Sequence, residues 1–177
     1  ELNASTFAVR VAASTGASIA ASLLAGLGAL SGPYHGGAGA AVMALVEEAR
    51  RLTPHDAVRG HLMRGLRLPG FGHPLYPEGD PRAAALLGTL SPDTLMDELR
   101  AAAAEACGAP PNIDCALAAL TRSARLPADA PFRLFATGRS IGWVAHAIEQ
   151  TATGRLIRPR ARYEGALPAG TDDSAES

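Results

Sequence analysis

The chain has 177 residues, 47% of them hydrophobic and 19% charged, with a formal net charge of −1. That balance suits a folded protein of one domain or one and a half, and it excludes a disordered chain. No basic field argues for nucleic acid, and no apolar run approaches the roughly 20 residues of a membrane span.

Helical periodicity dominates. Ala8, Ala12, Thr15, Ile19 and Leu23 recur at steps of three and four, which predicts helix from the start of the chain until Gly32-Pro33 ends it. The apolar stretch from Ile19 to Leu30, interrupted by Ser22, Gly26 and Gly28, reads as a buried helix. Its small residues should let it pack on several sides. Helix-like sequence begins at once after Glu1, so the chain is expected to be cut from something longer, or to be one half of a split protein. A second helix is predicted from Gly37 to Leu52, with Val42, Leu45, Val46 and Ala49 on one face. Thr53-Pro54 fits a cap and first turn for a third, His55 to Arg64.

Residues 66–80 hold Pro69, Gly70, Gly72, Pro74, Pro77 and Gly79. A loop this long inside a compact domain usually carries function. Asp80-Pro81 restarts a short helix to Leu87, and Ser91-Pro92-Asp93 opens another that runs to Ala106. Pro110-Pro111-Asn112 is a turn before a helix from Asp114 to Ser123. The last helix is predicted from Phe132 to Thr151, with Leu134, Gly138, Ile141, Ala145 and Ile148 on one stripe. No segment alternates at period two, so the expected class is all-α. Residues 167–177 are small, polar and acidic, and are expected to form a disordered tail. Cys107 and Cys115 are too few for a disulfide scaffold and lack metal-ligand spacing, which makes a reduced, cytoplasmic setting the default.

Several residues could carry chemistry. His35, in Gly-Pro-Tyr-His-Gly-Gly, precedes a helix whose dipole would favour a neutral ring able to polarise a carbonyl; the bland alternative is a turn histidine. His73, between Gly72 and Pro74 in the long loop, favours a ligand contact. Asp114 at a helix start is either an ordinary N-terminal acid or a general base. Arg82, Arg139 and Arg158 stand out among the arginines, and Arg139, on or beside an apolar stripe, would need an anion partner. Arg160 and Arg162 read as solvated. His55, His61 and His146 read as structural, His146 as a satisfied core histidine. No histidine pair has zinc-helix spacing, and no metal is expected.

Taken in order, Glu1-Leu-Asn-Ala-Ser-Thr-Phe, Gly32-Pro-Tyr-His-Gly-Gly-Ala, Gly70-Phe-Gly-His, Asp80-Pro-Arg-Ala, Pro111-Asn-Ile-Asp, Gly142-Trp-Val-Ala-His and Arg158-Pro-Arg make a pattern that resembles the citrate synthase family, to about Gly165. The resemblance implies an all-helical, two-domain homodimer, present here as a C-terminal portion. Residues 1–35 and 126–166 would belong to the large domain, 36–125 to the small one, and 167–177 to a tail. It implies condensation of acetyl-CoA with oxaloacetate and hydrolysis of the thioester, with CoA as co-substrate and no permanent cofactor. Asp114 would take the methyl proton, His35 would hydrogen-bond the thioester oxygen, and His73 would polarise the oxaloacetate carbonyl. Arg82 and Arg139 would clamp its carboxylates, and Arg158 would do so across the dimer. The backbone of Leu68, Pro69, Gly70, Phe71 and Gly72 would meet the CoA adenine.

The pattern also departs from the family. Relatives usually carry some two hundred preceding residues as the resemblance has it, including a substrate-binding histidine just before the Glu-x-Asn stretch. A basic residue for CoA phosphate is replaced by Pro77, and Pro74 stands where many bacterial relatives have arginine. Three readings therefore compete: a citrate synthase active with its missing half; a 2-methylcitrate synthase or citryl-CoA-cleaving relative; and a non-catalytic dimerisation or CoA-binding subunit.

Overall fold

The computed structural model describes residues 2–33, 35–162 and 164–165. Among these the chain is helical: α1 (Ala4–Ser14), α2 (Ile19–Leu30), α3 (Ala38–Arg51), α4 (Pro54–Met63), α5 (Pro81–Leu87), α6 (Thr94–Cys107), α7 (Ile113–Ser123) and α8 (Ala130–Thr153). The only extended pairing among them is an isolated bridge between Phe71 and Pro111. The tail expected at 167–177 lies outside the described residues.

Most helix starts follow from local side-chain chemistry. An exposed backbone N–H at a helix start needs an acceptor, and Asn3, Ser18, Thr53, Asp80, Asp93 and Asn112 each supply one. Pro at the first turn of α4 and α5 costs no hydrogen bond there. The helix expected to run unbroken to Gly32-Pro33 is in fact two. Gly16 adopts φ +83, which ends α1, and Ser18 caps α2. This break rotates the register, so the buried face of α1 is Ser5, Thr6, Val9 and Ala13, and Ile19 is exposed.

Two apolar cores result. One gathers Val42, Leu45 and Val46 of α3, Val58 of α4, Met96 and Leu99 of α6 and Cys115 of α7, with Leu68 and Phe71 from the loop. The other joins Val9 and Ala13 of α1, Leu30 of α2, and Trp143 and Ala147 of α8. In the second core Gly26 leaves room for no Cβ between Val9 and Trp143. The two meet where the start of α3 packs on the start of α8, with Gly39 against Pro131 and Gly36 against Phe132.

The stripe expected on α8 is not its buried face. Ile141 is 77% exposed, and Leu134 and Ile148 are exposed too, whereas Trp143, Ala147 and Gln150 are buried. Periodicity finds an apolar face but does not say what covers it. On α2 likewise only Ser22, Gly26 and Leu30 are buried, and Leu24 and Leu27 face outward. The expected packing on several sides is therefore met on one side by the described residues.

Gly70 tests how tightly the long loop is seated. Its φ is +85, and a Cβ there would lie 2.7 Å from Val42 Cγ2 and 3.2 Å from Cys115 Cβ. Gly70→Ala should lose about 1–3 kcal/mol of stability, read as a lower urea midpoint at unchanged slope.

Candidate active site

The irregular segment 64–80 is tied to the start of α7. Asn112 N–H donates to the Gly70 carbonyl at 2.9 Å, and Gly72 N–H donates to the Pro110 carbonyl at 2.7 Å. The Asn112 side chain closes the join: Nδ2 donates to the Gly72 carbonyl at 2.9 Å, while Oδ1 accepts the Asp114 N–H at 3.0 Å. One residue thus caps α7 and grips the loop one residue before His73. The expected adenine-binding stretch Leu68–Gly72 therefore has three of its backbone groups satisfied inside the chain.

His73 has a defined tautomer. Leu75 N–H donates to its Nδ1 at 3.1 Å, which places the proton of the neutral ring on Nε2. That Nε2 lies 3.5 Å from Arg82 Nη2. Both atoms are donors, so the pair is arranged to share an acceptor oxygen from a carbonyl or carboxylate. Tyr76 flanks both groups, its ring centre 4.9 Å from the His73 ring and 5.2 Å from Arg82 Cζ. Arg82 is held by Asp80 at 2.9 Å through Nε and 2.8 Å through Nη2.

Asp114 occupies the first turn of α7, half-buried. Burial pushes its carboxyl above the ordinary carboxylate value, while the charges of Arg82 and His73 act in the opposite direction and Asp80 adds to the rise. A carboxylate made more basic beside a donor pair suits proton abstraction. Beneath it Cys115 is fully buried, and its thiol is pushed up to about 12, so it is no nucleophile at neutral pH.

His35 stands apart from this group, against α1. Ser5 N–H donates to its Nε2 at 3.4 Å, and Ser5 Oγ lies 2.8 Å from the same nitrogen. With Nε2 accepting, the neutral ring carries its proton on Nδ1. Asn3 Oδ1 accepts from Thr6 N–H at 2.9 Å and lies 3.1 Å from Ser5 Oγ, whose single hydroxyl proton goes to His35 Nε2. The close turn after His35 needs glycine, because a Cβ on Gly36 would strike the Leu30 carbonyl.

The structure brings His73, Arg82 and Asp114 together, and it leaves Arg139 and Arg158 on separate elements. Arg139 folds along α8 over Gly142, where any Cβ would collide with its guanidinium. Its Nε is buried without a hydrogen-bond partner among the described residues. Arg158 is exposed on the segment after α8, as are Arg160 and Arg162. His146 is not the core histidine expected from its helix-interior position. Its Nδ1 lies 3.0 Å from Arg10 Nη1 and 3.7 Å from Glu149, in a cluster joining α1 to α8. His55 is exposed beside Glu105 at 3.2 Å.

Sequence reasoning missed Ser5, Tyr76, Asp80 and Asn112 as parts of the site. Asp80 and Asn112 carried a cap or turn signal, which is where such residues normally act; nothing local showed that each also reaches a second element. Among the described residues no group of His, Cys, Asp and Glu could hold a metal ion, and no helix is long and apolar enough to cross a membrane.

Comparison with known proteins bears on family and fold. The family described as citrate synthase, C-terminal domain, matches residues 1–160. Citrate synthase of Haloferax volcanii is 39% identical over 176 residues, covering 93% of this chain and 46% of its own length. Citrate synthase of Thermoplasma acidophilum, in its ternary complex with carboxymethyl coenzyme A and oxaloacetate, superposes with a TM-score of 0.79 at 34% identity, covering 99% of this chain and 51% of that one. Citryl-CoA lyase of Hydrogenobacter thermophilus superposes at 0.80 with 26% identity, covering 96% of this chain and 73% of that one. The chain spans about half the length of the curated relatives it matches. With an all-helical fold and a match over nearly its whole length, the chain belongs to the citrate synthase family and represents its C-terminal portion.

Proposed function

We propose that the protein to which this chain contributes condenses acetyl-CoA with oxaloacetate, giving citrate and free CoA, and that His35, His73 and Asp114 carry the chemistry. The observation that supports this reading most directly is the donor pair of His73 Nε2 and Arg82 Nη2, 3.5 Å apart, within electrostatic reach of a basic Asp114. A thioester methyl group is a weak carbon acid. A carboxylate removes its proton only if negative charge on the thioester oxygen is met by a donor already in place. Asp114 takes the proton, and His35 supplies the donor through Nδ1–H. The carbon nucleophile attacks the keto carbon of oxaloacetate, and His73 gives its Nε2 proton to the resulting alkoxide. Water then cleaves the citryl thioester, releasing CoA.

Arg82, Arg139 and Arg158 are assigned to the substrate carboxylates, Arg158 from the neighbouring subunit of a homodimer. The exposed apolar residues Leu24, Leu27, Ile141 and Ile148 suit a chain whose outer faces are covered in assembly. We assign residues 36–125 to the small domain and 1–35 with 126–166 to the large one, a division supported by the two separate apolar cores. Leu68–Gly72 is assigned to the CoA adenine, and the protein to the cytoplasm. Cleavage of citryl-CoA is the second reading, supported by the likeness to a citryl-CoA lyase. The same groups then run in reverse, His73 taking the tertiary hydroxyl proton as the carbon–carbon bond breaks.

The complete protein should release free thiol from acetyl-CoA only when oxaloacetate is present. Asp114→Ala should lower kcat by at least about 10³-fold without unfolding the chain. Normal turnover in a folded Asp114→Ala protein would overturn the assignment of the base. Thiol release from propionyl-CoA in preference to acetyl-CoA would move the reading to a 2-methylcitrate synthase, cleavage of citryl-CoA without net synthesis would move it to the lyase, and binding without turnover would move it to a non-catalytic subunit.

Asp114 also links activity to pH. Protonation stops base catalysis, so kcat/KM should fall on the acid side with a midpoint above the ordinary 3.8. Because the folded-state value is raised, folding disfavours the ionised form. Stability is lost as pH rises from the unfolded value through the folded one. Asp114→Asn should therefore melt at a higher temperature than the parent at pH 7 while being inactive, and the difference should vanish near pH 3.

A further inference from the structure

Asp80 has the sequence signature of an ordinary helix cap, yet it does more than a cap requires. Its side chain is wholly buried. Oδ1 accepts from Arg82 N–H at 3.0 Å and from Arg82 Nε at 2.9 Å. Oδ2 accepts from Arg82 Nη2 at 2.8 Å and from Ile113 N–H at 3.0 Å. A cap needs one oxygen and one helix. This carboxylate uses both oxygens, joins the first turns of α5 and α7, and grips a guanidinium side-on.

That grip decides what Arg82 can offer. A guanidinium presents its donors along two forked edges suited to a carboxylate. Asp80 occupies the Nε/Nη2 edge, and Tyr76 lies across one face. What remains is the Nη1/Nη2 edge, with Nη2 3.5 Å from His73. The Ile113 N–H ties the same carboxylate to the residue next to Asp114.

We propose that Asp80 is a positioning residue of the site: it orients Arg82 so that a single edge, beside His73, is presented to a substrate carboxylate, and it sets that edge against the first turn of α7. This rests on the assignment of Arg82 to substrate binding above. Asp93 provides an internal control, since it too caps a helix and grips a guanidinium, that of Arg122, at 2.8 and 3.3 Å. Arg122 does not adjoin His73, so loss of the Asp93 bridge should affect stability alone.

The test compares Asp80→Asn, Arg82→Lys, Arg82→Gln, the double variant Asp80→Asn/Arg82→Gln and Asp93→Asn in the complete protein. Removing a charged hydrogen-bonded partner should raise KM for oxaloacetate by on the order of 10- to 100-fold in Asp80→Asn, with a much smaller change in kcat. Adding Asp80→Asn to Arg82→Gln should raise KM no further, because the residue acts through Arg82. Asp93→Asn should lower the melting temperature and leave KM unchanged. In the nitrogen-15 spectrum of the complete protein without substrate, rotation about Arg82 Nε–Cζ should be slow in the parent and fast in Asp80→Asn. Equal and additive losses in both backgrounds, or an unchanged Arg82 signal in a folded Asp80→Asn protein, would overturn the proposal. Should Asp80→Asn fail to fold, Arg82→Lys decides: lysine keeps the charge but has no edge to orient, so a parental KM there would also overturn it. If the parent protein binds no oxaloacetate, the assignment of Arg82 fails, and the nitrogen-15 comparison still reads whether Asp80 orients the guanidinium.

Discussion

A segment without secondary structure must find partners for its own backbone, and in this chain the start of α7 supplies them to residues 64–80. Gly70 and Gly72 exchange hydrogen bonds with Pro110 and Asn112, and the Asn112 side chain closes the join. Phe71 sinks into the larger core while Gly70 lets the backbone pass close to Val42 and Cys115. A proline- and glycine-rich loop becomes a fixed platform because polar satisfaction and apolar burial act on the same few residues. His73 and Asp114 lie on the two sides of that seam.

Electrostatics at the seam are divided between two carboxylates with opposite environments. Asp80 is buried too, but it is paired with Arg82 and accepts two helix N–H groups, which hold its carboxyl down at about 2. Asp114 lacks so close a cation, so burial prevails and its carboxyl is raised. One acid is therefore a permanent anion that shapes a guanidinium, and the other remains free to exchange a proton. Two acids at neighbouring helix starts differ in this way because one has a cation in contact and the other does not.

His35 belongs to a different part of the molecule. It is anchored through Ser5 and Asn3 to α1, in the core that includes Trp143, and Gly36 connects it to the start of α3. The proposed reaction needs donors for two carbonyls, and the chain mounts them on two apolar cores. Arg139 adds a buried donor on α8 without a partner among the described residues. A buried donor left unsatisfied within the fold costs stability, and the exposed apolar residues of α2 and α8 add to that cost.

Much of this protein was legible in its residues. Helix starts at Thr53-Pro54, Asp80-Pro81 and Asp93 follow from caps and prolines whose effects are local, and the apolar face of α3 follows from spacing alone. The ordered motifs around His35, His73 and Asp114 carried the family. Other features are not local. The break at Gly16 came from one backbone angle that a run of alanines conceals. Periodicity marked the Ile141 and Ile148 face of α8, but burial fell on Trp143 and Ala147, because which face is covered depends on where α1 and α2 lie. Asp80 and Asn112 looked like caps and are bridges, since a carboxylate or amide reveals its second partner only when the chain brings a distant N–H or carbonyl within about 3 Å. The sequence by itself determined which residues could cap, bury or carry a proton; tertiary structure decided which of them meet, because hydrogen bonding and desolvation depend on distance in space and not on separation along the chain.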